Sequence, residues 1–138
     1  MRRFILDTGI AGLYLDRKRG VYERSQVEIV RGNRVGIAAP ILGELAFRAE
    51  GSPHRERNLL RLRQALDAWK LWLMDRPTAF EYGRIAFALK ATGRPMGQND
   101  IQIAAIALTL GNCTVVSADS DLSAVPGLTV ENWATLEA

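Results

Sequence analysis

Four acidic residues, Asp7, Glu44, Asp100 and Asp119, each mark the end of an apolar run or the opening turns of a helical stretch. Asp7 closes Phe4-Ile5-Leu6, and Glu44 lies one helical turn after Pro40, which follows Gly36-Ile37-Ala38-Ala39. Asp100 opens the apolar stretch Ile101 to Leu110, and Asp119 stands two residues past Thr114-Val115-Val116-Ser117. Two unit charges about 4 Å apart repel by roughly 4 kcal/mol at an effective dielectric near 20. Four gathered carboxylates therefore need protons or a cation. Oxygen ligands without His or Cys select Mg²⁺, or Mn²⁺ in its place, over zinc. Such a centre suits phosphodiester hydrolysis, where the bound ion activates a water and stabilises charge on the phosphate.

Each acid taken singly has a plainer role. Asp7 could cap the helix that follows it, and Asp100, or Asn99 before it, could cap another. Glu44 could be an exposed helix residue, and Asp119 and Asp121 could be turn residues in Ser117-Ala118-Asp119-Ser120-Asp121. The order and placement of all four, rather than any one of them, point to a cation site.

The elements that must position these acids read as alternating strands and helices. Strands are expected at Arg3 to Leu6, Arg34 to Ala39, Lys70 to Met74, Thr114 to Ser117 and Leu128 to Glu131, with Thr114 to Ser117 the most central in character. Helices are expected over Gly9 to Leu15, Val21 to Arg31 with Val27 and Val30 inward, and from Pro40 to Gly51 with Leu42, Leu45, Ala46 and Phe47. Further helices are expected over Glu56 to Trp69 (Leu59, Leu60, Leu62, Leu66 and Trp69 on one stripe), Thr78 to Ala91 (Phe80, Tyr82, Ile85, Phe87, Leu89) and Asn99 to Leu110, ended by Gly111. Short continuous apolar strands between helices predict an α/β fold, a mainly parallel sheet of about four to five strands covered on both faces. In such sheets ligands bind beyond the carboxyl ends of the strands, where Asp7 and Asp119 lie. The first turns of following helices bring Glu44 and Asp100 toward the same edge.

Composition narrows the classes. A chain of 138 residues fits one domain, residues 1–138, with enough apolar content for a core. The net charge of +3 permits a nucleic-acid partner without requiring one. The single Cys113 offers no internal disulfide and reads as a small apolar thiol. No run is long enough to span a bilayer, and no signal-peptide pattern opens the chain, so a soluble cytoplasmic protein is expected. His54 is the only histidine, which rules out a two-histidine ribonuclease mechanism, and its polar setting Ser52-Pro53-His54-Arg55 reads as surface rather than as a triad. There is no P-loop and no Rossmann fingerprint. Only Asp7 follows the first strand, against a phosphoacceptor domain or an Asp-x-Asp phosphatase. The candidate phosphate-facing groups are Arg17-Lys18-Arg19, then Arg55, Arg57, Arg61 and Arg63, and Arg94 beside the Asp100 loop. A solvated helix face is the plain alternative for the second cluster.

These residues resemble a known family. Phe4-Ile5-Leu6-Asp7-Thr8 is similar to the opening motif of PIN-domain ribonucleases, and Glu44-Leu45 with Ala49-Glu50 to their second acidic motif. Gly97-Gln98-Asn99-Asp100-Ile101-Gln102-Ile103-Ala104-Ala105 resembles the third. Ser117-Ala118-Asp119-Ser120-Asp121-Leu122, Val125-Pro126-Gly127-Leu128 and Glu131-Asn132-Trp133 resemble the fourth and the closing strand. The likeness covers nearly the whole chain and lies nearest the VapC toxins of type II toxin–antitoxin systems. Glu56-Arg57-Asn58-Leu59 and Gly93-Arg94-Pro95-Met96-Gly97 resemble the subgroup that cuts initiator tRNA.

The resemblance implies a three-layer PIN-like fold and a Mg²⁺-dependent endoribonuclease acting on RNA, in particular tRNA. It implies Asp7 and Asp100 as principal metal ligands, Glu44 completing the site directly or through water, and Asp119 as the fourth acid, in competition with Asp121. Thr8 and Ser117 would supply supporting or phosphate-contacting hydroxyls. A homodimer and a cognate antitoxin laid over the active-site groove are implied as well. Three positions depart from the pattern: Gly9 where Asn is usual, Arg48 where Gly is usual, and Leu122 where an aromatic is usual. The departures keep a second reading open, a catalytically weak PIN-like module that binds RNA or an antitoxin. A third reading is a phosphohydrolase for small esters, which needs a snug pocket rather than an open groove.

Overall fold

The structure, a computed structural model, describes residues 1–136. Five parallel strands form one sheet in the order β3-β2-β1-β4-β5: β1 (Arg3–Leu6), β2 (Arg34–Ala38), β3 (Lys70–Trp72), β4 (Cys113–Val116) and β5 (Thr129–Glu131). Phe4, Ile5 and Leu6 are all fully buried. Successive strand side chains point to opposite faces, so burial of all three means that both faces of β1 are covered. The cover comes from α1 (Thr8–Leu15), α2 (Val21–Val30), α3 (Ala39–Glu50), α4 (Arg55–Ala65), α5 (Arg76–Ala91) and α6 (Gln98–Leu110). The expected three-layer α/β arrangement is the one observed.

β1 is the central strand, not β4, which is second from the edge. The apolar runs of β1 and β4 are equally buried, so run character alone does not rank them. Edge strands β3 and β5 are three residues each, which limits the unpaired backbone they expose. Gly36 lets β2 lie close to β3, since a Cβ there would overlap the Lys70 carbonyl. The main core lies around β1, β2 and β4. A smaller cluster of Ile85, Leu89, Ile101, Ala104, Ala105 and Val125 joins α5 to α6.

Several inward expectations are corrected. On α2 the buried residues are Val21, Ser25 and Glu28, whereas Val27 and Val30 face outward, Val30 at 86% exposure. The helix is rotated because Glu28, at 2% side-chain exposure, is fully partnered. Arg24 Nε donates to it at 2.9 Å, Asn33 Nδ2 at 2.9 Å, and Arg31 stands at 3.6 Å. Phe47, Leu60, Phe80 and Phe87 are exposed too. α4 ends at Ala65, so Trp69 reaches the core from the turn beyond it, its ring tilted against Tyr14 with centroids 4.8 Å apart. No helix among the described residues is long and apolar enough to cross a membrane.

Candidate active site

The chain runs outward from β1 in both directions. β2 and β3 are added on one side, then α5 and α6 carry it back across to β4 on the other. The strand order therefore reverses between β1 and β4, and the carboxyl ends of those two strands flank the crevice such a reversal opens. Asp7 follows β1 directly. Its backbone N–H donates to the Val116 carbonyl at 3.0 Å, and its side-chain Oδ1 accepts from the Ile10 N–H at 2.9 Å, so it also caps α1. The plain capping role and a place at the crevice coexist.

Glu44 comes from α3, whose first turn is set by Pro40. Thr8 Oγ donates to Glu44 Oε2 at 3.0 Å, and Asn99 Nδ2 donates to Glu44 Oε1. Asp100 lies in the first turn of α6, where helix-dipole charge favours an anion. The cap position of α6 is Gly97, so neither Asn99 nor Asp100 caps that helix, as either could have done. Past β4, the Asp119 N–H donates to Ser117 Oγ at 2.9 Å. Asp119 Oδ1 accepts from the Asp121 N–H at 2.9 Å and caps a 3-10 helix, Ser120–Ala124, that the sequence reading does not contain.

The electrostatics join these acids into one cluster. Burial pushes the Asp7 carboxyl above its usual range, and the negative charges of Asp119 and Glu44 push the same way. The Ser117 hydroxyl and the Ile10 amide pull against that shift. Asp100 is raised by burial first, then by the charges of Asp119, Asp7, Glu44 and Asp121. Among the described residues none of these acids has an arginine or lysine in ion-pair contact. Nor are any three acidic, histidine or cysteine side chains drawn into a ready-made cation cage there. Repelling carboxylates held by separate hydrogen bonds stand apart for a physical reason, and a cation is what would draw them in. The donor set is all oxygen, it carries surplus negative charge, and it lacks a basic partner. It therefore fits a hard divalent cation.

A cavity of about 650 Å³ adjoins the cluster, lined by Arg94, Met96, Asp100, Asp121 and Ser123 among others. It places Asp121 and Arg94 on the Asp100 side. Asp119 instead interacts electrostatically with both Asp7 and Asp100. Arg48 lines two further hollows, one of them with Glu44 and Asn99, and is in ion-pair contact with no acid among the described residues.

The basic clusters divide. Arg17 stacks over the Tyr22 ring at 3.4 Å, Arg19 Nε donates to the Thr135 carbonyl at 2.7 Å, and both have φ of 55°. Arg61 pairs with Asp16 at 2.8 Å, and Arg55 pairs with Glu50 at 2.5 Å. These four arginines are ties within the fold. Lys18, Arg57, Arg63 and Arg94 stay free of ion pairs among the described residues. The residue passed over as a site member in the sequence is Asn99. Its place one residue before Asp100 was the available signal. Cys113 is half-buried, and burial raises its thiol to about 12, which leaves it unreactive.

The PIN domain family matches residues 4–128. The chain belongs to that family. Its relatives within it are VapC proteins. It is 29% identical over 133 residues to the ribonuclease VapC2 of Haemophilus influenzae, covering 96% of this chain and 99% of that one. It is 28% identical over 134 residues to a tRNA(fMet)-specific endonuclease VapC of Salmonella typhimurium, covering 96% and 99%. Among solved structures, VapBC2 of Rickettsia felis bound to a promoter DNA fragment superposes with a TM-score of 0.87 at 25% identity, covering 95% and 98%.

Proposed function

We propose that this chain is a Mg²⁺-dependent endoribonuclease, with Mn²⁺ able to substitute, that cleaves RNA, specifically tRNA, as the toxin of a type II toxin–antitoxin pair. The observation that carries the reading is the set of acids without basic partners at the reversal between β1 and β4. The relatives named as ribonucleases, one of them tRNA(fMet)-specific, support the substrate class. Membership of a pair is supported by the Rickettsia felis VapBC2 complex. The partners in this reading are RNA, an antitoxin protein and a second copy of the chain, in the cytoplasm.

Asp7 and Asp100 would hold the cation, with Glu44 and Asp119 beside them. When bound, it would supply a water acidified toward neutral pH and neutralise charge on the scissile phosphate. The protein residues do the positioning. Asp7 is fixed through Oδ1 by the Ile10 amide at the carboxyl end of β1. Glu44, held in place by Thr8 and Asn99, would accept a proton from the attacking water and orient it. Asp119, whose charge reaches both Asp7 and Asp100, would add to the negative cluster, and Asp121 lines the cavity beside Asp100. Arg94, free of ion pairs among the described residues, would meet a phosphate of the incoming strand. Ser117 and Thr8 keep Asp119 and Glu44 in register.

The test is cleavage of a tRNA pool by purified protein with Mg²⁺, with EDTA, and by Asp7→Asn. Cuts that need the cation and vanish in the variant are expected. Equal activity in EDTA, or in Asp7→Asn, sinks the reading. The open arrangement of the acids favours one other reading, a weak module that binds RNA or an antitoxin without turnover. RNA retained on the protein but left intact at every cation concentration would select it.

A further inference from the structure

Among the described residues, Glu44 has both carboxylate oxygens engaged by side chains. Thr8 Oγ holds Oε2 at 3.0 Å and Asn99 Nδ2 holds Oε1. The donors arrive from different elements. Thr8 begins α1 directly after Asp7, Glu44 is on α3, and Asn99 is in the first turn of α6 directly before Asp100. The chain neighbours of both donors are thus the acids assigned to the cation.

The hydrogen-bond inventory fixes the direction of these contacts. A carboxylate only accepts, so the Asn99 amide must present its NH₂ and the Thr8 hydroxyl must donate its O–H. Each carboxylate oxygen has more than one acceptor site, so each retains capacity for a water or a cation. Without the donors, Glu44 would be free to rotate away from the charges of Asp7 and Asp100, both of which feel it. The clamp opposes that repulsion and keeps the third carboxylate facing the crevice.

We propose that Asn99 is a positioning residue that, with Thr8, clamps Glu44 across α1, α3 and α6 and so sets the spacing of the cation-binding acids. The inference rests on the cation-dependent reading above and adds a residue to it. Asn99 is exposed, so removing its amide leaves no core cavity. Leu is close to Asn in shape and lacks the donor, which makes Asn99→Leu the informative change, with Asn99→Ala as its control.

Mn²⁺ affinity of the metal-free protein, read by electron paramagnetic resonance, is the primary measurement. Loss of an outer hydrogen-bond partner typically weakens metal affinity about 10- to 100-fold. Both variants are expected to raise the Mn²⁺ dissociation constant roughly tenfold, with a melting temperature close to that of the parent. In a Glu44→Ala background, Asn99→Leu is expected to change affinity by less than about twofold, because Asn99 acts through Glu44. On RNA, kcat should fall with KM nearly unchanged. An unchanged Mn²⁺ constant, or an equal loss in the Glu44→Ala background, overturns the proposal, as does a parent protein that binds no Mn²⁺. A parent that binds Mn²⁺ through this clamp but cuts no RNA leaves the clamp standing and rejects the nuclease reading instead.

Discussion

Glu28 and the cluster around Asp7 are two ways of burying acid in one small fold. Glu28 is burdened by desolvation, yet hydrogen bonds from Asn33 and Arg24 and the charges of Arg24 and Arg31 outweigh it and hold its carboxyl below the usual range. Asp7 and Asp100 are burdened the same way and receive added repulsion from their neighbours, so their carboxyls are raised. The first arrangement has supplied its own cations from α2. The second withholds them. Stability accounts for the first; the second costs stability in the absence of a ligand, a pattern that clusters at functional sites.

The strongest way to break the comparison is to neutralise one member of each set. Asp100→Asn is expected to reduce RNA cleavage by at least about 10³-fold, some 4 kcal/mol of transition-state stabilisation, with the fold intact by circular dichroism. Glu28→Ala is expected to do the reverse. It removes the hydrogen bonds from Arg24 and Asn33 but leaves only exposed arginines behind, and should cost about 1.5–3 kcal/mol in urea unfolding, while cleavage per folded molecule stays near the parent level. A Glu28 variant that loses activity at full stability would merge the two classes.

Opposite pH dependence sharpens the contrast further. Glu28 has a lowered folded pKa, so its contribution is present above its ordinary value of 4.5 and is lost as pH falls through the folded pKa. Asp7 has a raised folded pKa, so its protonated form favours folding. That contribution is present below its ordinary value of 3.8 and is lost as pH rises through the folded pKa. Asp7→Asn retains an oxygen for the Ile10 amide and cannot ionise. In EDTA at neutral pH it is expected to melt about 2–4 °C above the parent, and the gap should close below the ordinary aspartate range. Calorimetry across pH checks this. A variant less stable than the parent at neutral pH would show that the cap, not the charge, dominates.

The same contrast explains what could be read in the sequence. The strands, the helix order and the four acids are legible because each is local: an apolar run, a turn residue, an acid at a run's end. Glu28 is not legible as a core residue, because its burial depends on Arg24, Arg31 and Asn33 meeting around it after α2 has docked on β2. A helix with Val27 and Val30 one turn apart invites the opposite rotation. Asn99 was legible only as a possible cap. Its contact with Glu44 joins residues far apart in the chain, and no spacing rule announces it. The arginines of the Asp16 turn and of α4 look alike in sequence, yet Arg61 is bound by Asp16, whereas Arg63 is in no ion-pair contact among the described residues.

The smallest effect tests the rotation of α2 itself. If Glu28 rather than the valines faces inward, Val30, at 86% exposure, contributes no core packing. Val30→Lys should then change unfolding free energy by no more than about 0.5 kcal/mol, as surface substitutions usually do. The opposite rotation would put a lysine into the core at a cost of several kcal/mol. A near-neutral Val30→Lys beside a costly Glu28→Ala, measured in the same urea titration, is a result that only the observed phase of the helix gives. A large loss at Val30 would mean that its face is covered in the assembled protein, and a dependence of that loss on protein concentration would identify the cover as a second copy.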